Sequence, residues 1–236
     1  MEHYKLTDET IEIMYNGKMI ILHRIECTVA IESKGIKVGD KGGFIQSENN
    51  LDGDAWVYDN AKVYGNARVC GDATVCGNAW VYGNARVYDN AKVHGNARVC
   101  GDAKVYGNAR VYDDARVYGD AEVCGNAEVY GNAWVCGNAK VYGNAEVYGD
   151  ATVCGNATVC GNEDYIVFKN WWSSGCYFTW TRSNNMWKVG CFYGTGEKLI
   201  AKAYNDSEKS GREYERVVKY VQSILDDEAK EKEIQQ

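Results

Sequence analysis

From Leu51 to Asp164 the chain is one six-residue unit written nineteen times without insertion or deletion. Val63-Tyr64-Gly65-Asn66-Ala67-Arg68 and Val105-Tyr106-Gly107-Asn108-Ala109-Arg110 are typical. The rule is Val, then Tyr or Cys, then Gly or Asp, then Asn or Asp, then Ala, then a variable residue. Such a repeat restricts the fold before any other feature is weighed. In Ala67-Arg68-Val69-Cys70, inward small or apolar residues alternate with outward ones, the two-residue period of a strand. Gly71-Asp72 then suits a corner, because Gly, Asn and Asp tolerate the left-handed backbone region. A four-residue strand cannot bury its apolar side alone. Successive strands must therefore wind into a coil lined by Val and Ala, with rungs about 4.8 Å apart. The absence of proline and the 26 glycines agree with this, since corners made without proline draw on glycine and asparagine.

The unit Val-x-Gly-Asn-Ala-x resembles the hexapeptide repeat of left-handed β-helix proteins, in which three hexapeptides make one triangular coil. The resemblance covers about half of the chain and implies a mainly β fold, a left-handed parallel β-helix of about six coils. Gly35-Ile36-Lys37-Val38-Gly39-Asp40-Lys41-Gly42-Gly43-Phe44-Ile45 resembles the opening coil of an uncharacterised bacterial and phage-borne subgroup of that family. The segment after the repeat is similar to small sheet-plus-helix domains attached to phage and mobile-element proteins.

The ends of the repeat need covers, because an open β-helix end is an unpaired sheet edge. Ile11–Met14 and Lys18–Leu22 flank Asn16-Gly17, a hairpin signal, so residues 1–34 are expected to form an N-terminal β-hairpin cap. Residues 35–164 form the β-helix, and residues 165–236 a small C-terminal α+β domain. The repeat fails at Glu163, where an inward Ala is due. Beyond it, residues 165–195 are aromatic-rich and read as an antiparallel sheet, with a turn at Ser183-Asn184-Asn185 between Tyr177–Thr181 and Met186–Phe192. Trp171, Trp172, Trp180 and Trp187 are expected to pack its core, with the lining of a pocket as the alternative, and Cys176 and Cys191 to pack in the same cap. One helix is expected over Glu197–Tyr204. A second is opened by the capping box Ser210-Gly211-Arg212-Glu213, continues with apolar Tyr214, Val217, Val218, Val221, Ile224 and Leu225, and frays over Lys230–Gln236.

The net charge of −7 supplies no global attraction to nucleic acid, and direct nucleic-acid contact is left open. No run of about 18 apolar residues points to a membrane span. Met1 to Thr10 lacks the apolar segment of a secretion signal. Seven of the ten cysteines occupy one repeat position in alternation with Tyr and His. Reduced thiols and a cytoplasmic setting in a bacterial host cell are the expectation.

Many left-handed β-helix proteins are coenzyme A-dependent acyltransferases, in which a loop interrupts the coil and a histidine is the general base. Here no loop interrupts the blocks, and of His3, His23 and His94 only His94 lies on the coil, in place of an outward Tyr. Cys136 and Cys154, one coil apart, could pair under oxidation or touch a metal, but zinc needs four converging ligands. Asp113-Asp114 reads as corner residues, and Thr74, Thr152 and Thr158 are too few for an ice-binding array. The expectation is a protein without catalytic residues, cofactor or metal.

What varies in a repeat protein can carry specificity. With three blocks per coil, one face carries Trp56, Thr74, Lys92, Arg110, Glu128 and Glu146. The second carries Lys62, Trp80, Arg98, Arg116, Trp134 and Thr152, and the third Arg68, Arg86, Lys104, Glu122, Lys140 and Thr158. Trp80, Arg98, Arg116 and Trp134, beside the column that holds His94, Tyr112 and Tyr130, form the expected binding surface, since aromatic and arginine side chains anchor interfaces. The expected function is a non-catalytic binding or scaffold rod. Its partner is a host or phage protein or nucleoprotein, or a second copy of the chain. The phage-like resemblance sharpens this to an antagonist of a host defence nuclease, of the anti-CRISPR kind. Acyl transfer, self-assembly and nucleotide capture are the alternatives.

Overall fold

The protein, seen in a computed structural model, is described over residues 3–234. It divides into two compact units, Met1–Asp164 and Tyr165–Gln236.

The first unit opens with an antiparallel hairpin, β1 (Tyr4–Tyr15) and β2 (Lys18–Cys27). Its turn residues Asn16 and Gly17 have φ of 49° and 74°, the left-handed pair that suits a two-residue hairpin. Next comes β3 (Lys41–Ile45). The repeat then supplies two-residue strands every six residues, from β4 (Trp56–Val57) to β21 (Thr158–Val159). Each strand comprises the variable residue and the following Val, shorter than the four residues the alternation allows, because Ala already leads out of the corner. Partners in register are eighteen residues apart: Trp80 pairs with Arg98, Arg98 with Arg116 and Arg116 with Trp134. Three parallel sheets result, so the chain is a β-solenoid of about six turns. The three faces carry the residues that the six-residue spacing assigns to them.

Inside, the repeat valines from Val57 to Val159 and alanines from Ala61 to Ala157 are fully buried. At the corners the third residue of every block before the last has positive φ, filled by Gly or, at Asp59, Asp89 and Asp113, by Asp. Each of those aspartates accepts a hydrogen bond from the backbone N–H of the glycine one coil on, Gly77, Gly107 and Gly131 respectively.

The opening coil joins the solenoid without a break: Phe44 and Ile45 pair in parallel with Lys62 and Val63. A Cβ added at Gly43 would meet the Ala61 carbonyl oxygen at 2.6 Å, so only glycine lets this strand approach the first full coil. Buried Asn50 closes the coil. Its Nδ2 donates to the carbonyls of Gly65 and Ala67, and its Oδ1 accepts from the amides of Gln46 and Ser47. The hairpin is part of the same structure: β2 pairs antiparallel with β3, so one face is a nine-stranded sheet that runs from the hairpin to Thr152–Val153.

The second unit is a four-stranded antiparallel meander, β22 (Tyr165–Lys169), β23 (Tyr177–Thr181), β24 (Met186–Val189) and β25 (Phe192–Gly194), followed by α1 (Gly196–Asp206) and α2 (Glu208–Ile234). Trp172, Phe178, Trp180, Trp187, Leu199, Tyr214 and Val221 build its core. Four expectations need correction. The second helix starts at Glu208, because the Ser207 side chain accepts from the Ser210 amide. Gly211 lies inside it, where a Cβ would run into the ring of Tyr204. The helix continues through Lys230 to Ile234, and Gln235 and Gln236 lie outside the described residues. Trp171, Cys176 and Cys191 are exposed rather than packed, Cys191 because it sits at the turn between β24 and β25.

Candidate binding surface

Along a strand, side chains two residues apart share a side. The Tyr or Cys after each Val therefore stands beside the variable residue before that Val. For the face with Lys62, Trp80, Arg98, Arg116 and Trp134, the flanking column is Tyr64, Tyr82, Cys100, Tyr118, Cys136 and Cys154. Ring contacts bear this out: Tyr64 meets Trp80 and Tyr118 meets Trp134 edge-on, each at 6.1 Å. His94, Tyr112 and Tyr130 belong to the neighbouring face. The Tyr112 hydroxyl donates to Glu128 at 2.8 Å and the Tyr130 hydroxyl to Glu146 at 3.0 Å. The seven residues expected to form one surface thus fall into two groups.

The tryptophan face is itself divided. The hairpin folds Tyr15 against Tyr64 and Tyr82, and Leu22, Phe44 and Tyr64 form a core against which Ile11, Ile13, Ile20 and Trp80 pack. Trp80 therefore has a structural duty, with Lys62 and Arg98 lying 5.2 and 5.3 Å from its ring. Trp134 has no such cover. It is 38% exposed, with Arg116 5.0 Å above its ring and Tyr118 beside it. The open part of the face is Arg98, Arg116, Tyr118 and Trp134. Tyr118 escaped the sequence reading, although the period of two would have placed it. Below this group Cys136 and Cys154 are joined as a disulfide, with Cα atoms 4.7 Å apart. Parallel register sets them side by side at bridging distance, where free thiols were expected.

On the neighbouring face His94, Tyr112, Tyr130 and Tyr148 stack at 4.9, 4.9 and 5.3 Å. Burial against this stack pushes the His94 pKa down, which favours the neutral ring. Burial, with the bond to Glu146, pushes the Tyr130 hydroxyl up to about 12. These groups form a cross-rung stack and hold no histidine–nucleophile pair.

Hollows also lie away from the tryptophan face. A groove of about 620 Å³ follows the corner Asp72, Asn90, Asn108 and Asn126 beside Lys92 and Arg110. In the second unit a hollow of about 610 Å³ is lined by Cys176, Tyr177, Cys191, Leu199, Lys202 and Tyr214, among others; none of the tryptophans lines it. Among the described residues no cluster of three His, Cys, Asp or Glu side chains could hold a metal ion, and no helix is long and apolar enough to cross a membrane.

Residues 61–77, 67–83, 79–95, 97–119 and 109–125 match the YdcK beta solenoid repeat. Over residues 61–125 the solenoid is thus similar to YdcK-type repeats. The matched stretches span the first coils to the fourth, including Trp80, Arg98, Arg116 and Tyr118, and stop short of Trp134. No curated protein matches the chain.

Proposed function

We propose that this chain is a non-catalytic binding protein whose solenoid holds a macromolecular partner on the face of Arg98, Arg116, Tyr118 and Trp134. The observation that carries this reading is Trp134: a large ring left 38% exposed yet clamped by Arg116 and Tyr118. An exposed, pre-ordered tryptophan beside arginine has the character of an interface anchor, and ordering it in advance lowers the entropy lost on binding. The sharper form of the proposal makes the partner a host defence nuclease or nucleoprotein and the chain a phage or mobile-element antagonist. That form rests on the likeness to phage-borne left-handed β-helix proteins, on the rigid rod, and on an acidic balance of −7 that suits competition for a nucleic-acid-binding surface. Acyl transfer is the weaker reading, since His94 is held in a ring stack and the strands recur every six residues with no interrupting loop.

The test is affinity capture from a bacterial lysate with and without nuclease, comparing the intact chain with Trp134→Ala and Arg116→Ala. The expected result is one protein held at a fixed ratio, surviving nuclease and weakened at least tenfold by Trp134→Ala, as for an interface anchor. Equal capture by both variants would overturn this face as the site.

A further inference from the structure

The third face of the solenoid presents an arrangement its neighbours lack. Arg68, Arg86 and Lys104 are in register on three successive rungs, so three cations stand about 4.8 Å apart. Like charges directly opposite one another destabilise a sheet, and here compensation is incomplete. Arg68 reaches Asp52 at 3.6 Å with both side chains more than half exposed. Lys104 is drawn to Glu122 on its far side at 2.9 Å. No carboxylate among the described residues pairs with Arg86, the central and exposed member. Asp52 also accepts from the Gly53 amide, and Asp89 accepts from the Gly107 amide.

Beside these cations runs the column Cys70, Tyr88, Tyr106. Tyr88 and Tyr106 stack with centroids 4.9 Å apart and planes 2° apart. The next ring of that stack would stand at Cys70, whose amide bonds to the Val87 carbonyl just as the Tyr88 amide bonds to that of Val105. Cysteine leaves the place of a ring open over the outer face of Tyr88. Arg68, Cys70, Arg86, Tyr88 and Lys104 together line a cleft of about 420 Å³, within the range of small-ligand sites. The other gaps in the tyrosine columns lack this combination. At Cys100 the adjacent Arg98 and Arg116 lie over Trp80 and Trp134. Cys124 follows Glu122, and Cys76 follows Thr74.

We propose that this cleft binds a nucleotide, its base stacked on Tyr88 over Cys70 and its phosphate held by Arg86 with Arg68 and Lys104. Aromatic stacking is indifferent to the identity of the base, and a guanidinium row suits a phosphate. The site needs no contribution from the tryptophan face.

The experiment is calorimetric titration of the full chain with AMP and UMP, with adenosine and inorganic phosphate as half-ligands. Cys70→Tyr places in the gap the residue that the repeat itself uses at Tyr88 and Tyr106, so it closes the cleft within the same fold; a thermal melt checks that it does. Cys70→Tyr and Arg86→Ala are each expected to weaken nucleotide binding tenfold or more, and Trp134→Ala to leave it unchanged. Inorganic phosphate and adenosine are each expected to bind more weakly than AMP. Failure of both nucleotides to bind, binding by folded Cys70→Tyr equal to that of the unaltered chain, or phosphate binding as tight as AMP would each overturn the proposal.

Discussion

At the scale of single residues the corners show how the repeat tolerates its exceptions. Asp59 holds φ 54°, a region that costs a side chain about 1–2 kcal/mol. It is retained because its carboxylate accepts from the Gly77 amide at 3.0 Å, a bond to a charged group that restores a similar amount. Asp59→Ala keeps the strain and loses the bond, so it should cost about 2 kcal/mol. Asp59→Gly loses the bond and relieves the strain, and should be close to neutral. Urea melts of the two variants check this; equal losses would count against it. The same scale separates Trp80 from Trp134. Both fill the variable position of a block on the same face, but a hairpin more than fifty residues earlier in the chain covers one and not the other. Spacing along the chain could not show that.

At the scale of elements, each rung is a two-residue strand that buries one Val and leans on one Ala, so the core is a narrow shaft of small buried side chains. Val111→Ala removes two methyl groups from a fully buried site whose neighbours above and below, Val93 and Val129, are fixed in register. The cavity cannot relax readily, and the expected loss is about 2 kcal/mol, read as a drop in the urea midpoint with unchanged slope. An unchanged midpoint would mean that the shaft can collapse around the gap. The element boundaries in the second unit show where pattern reading stops. Ser210-Gly211-Arg212-Glu213 has the composition of a cap, but the cap is Ser207, and Gly211 is small because the ring of Tyr204 approaches it. That contact depends on how α1 and α2 turn back on each other.

At the scale of the whole molecule, the solenoid is held by contacts between successive coils, so its stability accumulates coil by coil. The Cys136–Cys154 bridge ties neighbouring coils near its C-terminal end across a separation of eighteen residues. A closed loop of that size restricts the unfolded chain by about 3 kcal/mol. Reduction should therefore lower the urea midpoint of the intact chain, and Cys136→Ser should reproduce the loss and remove the response to reductant. A midpoint indifferent to reductant would show the two thiols to be free in solution. The two units have separate cores, and the second is expected to be insensitive to this change.

The sequence by itself determined the solenoid. A strict six-residue repeat with buried Val and Ala admits few other folds, and the same spacing assigned every variable residue to its face, because one coil is three blocks and register repeats every eighteen residues. It also located the hairpin turn at Asn16-Gly17, whose local backbone preference needs no distant partner. The tertiary structure alone decided which outward residues are open. The hairpin partly covers Trp80, and the substitution of Cys70 for a ring matters only because Arg86 stands uncompensated beside it. Periodicity states which side a residue takes. Whether another element then covers that side, and which charges go unanswered there, depends on packing between segments far apart in the chain.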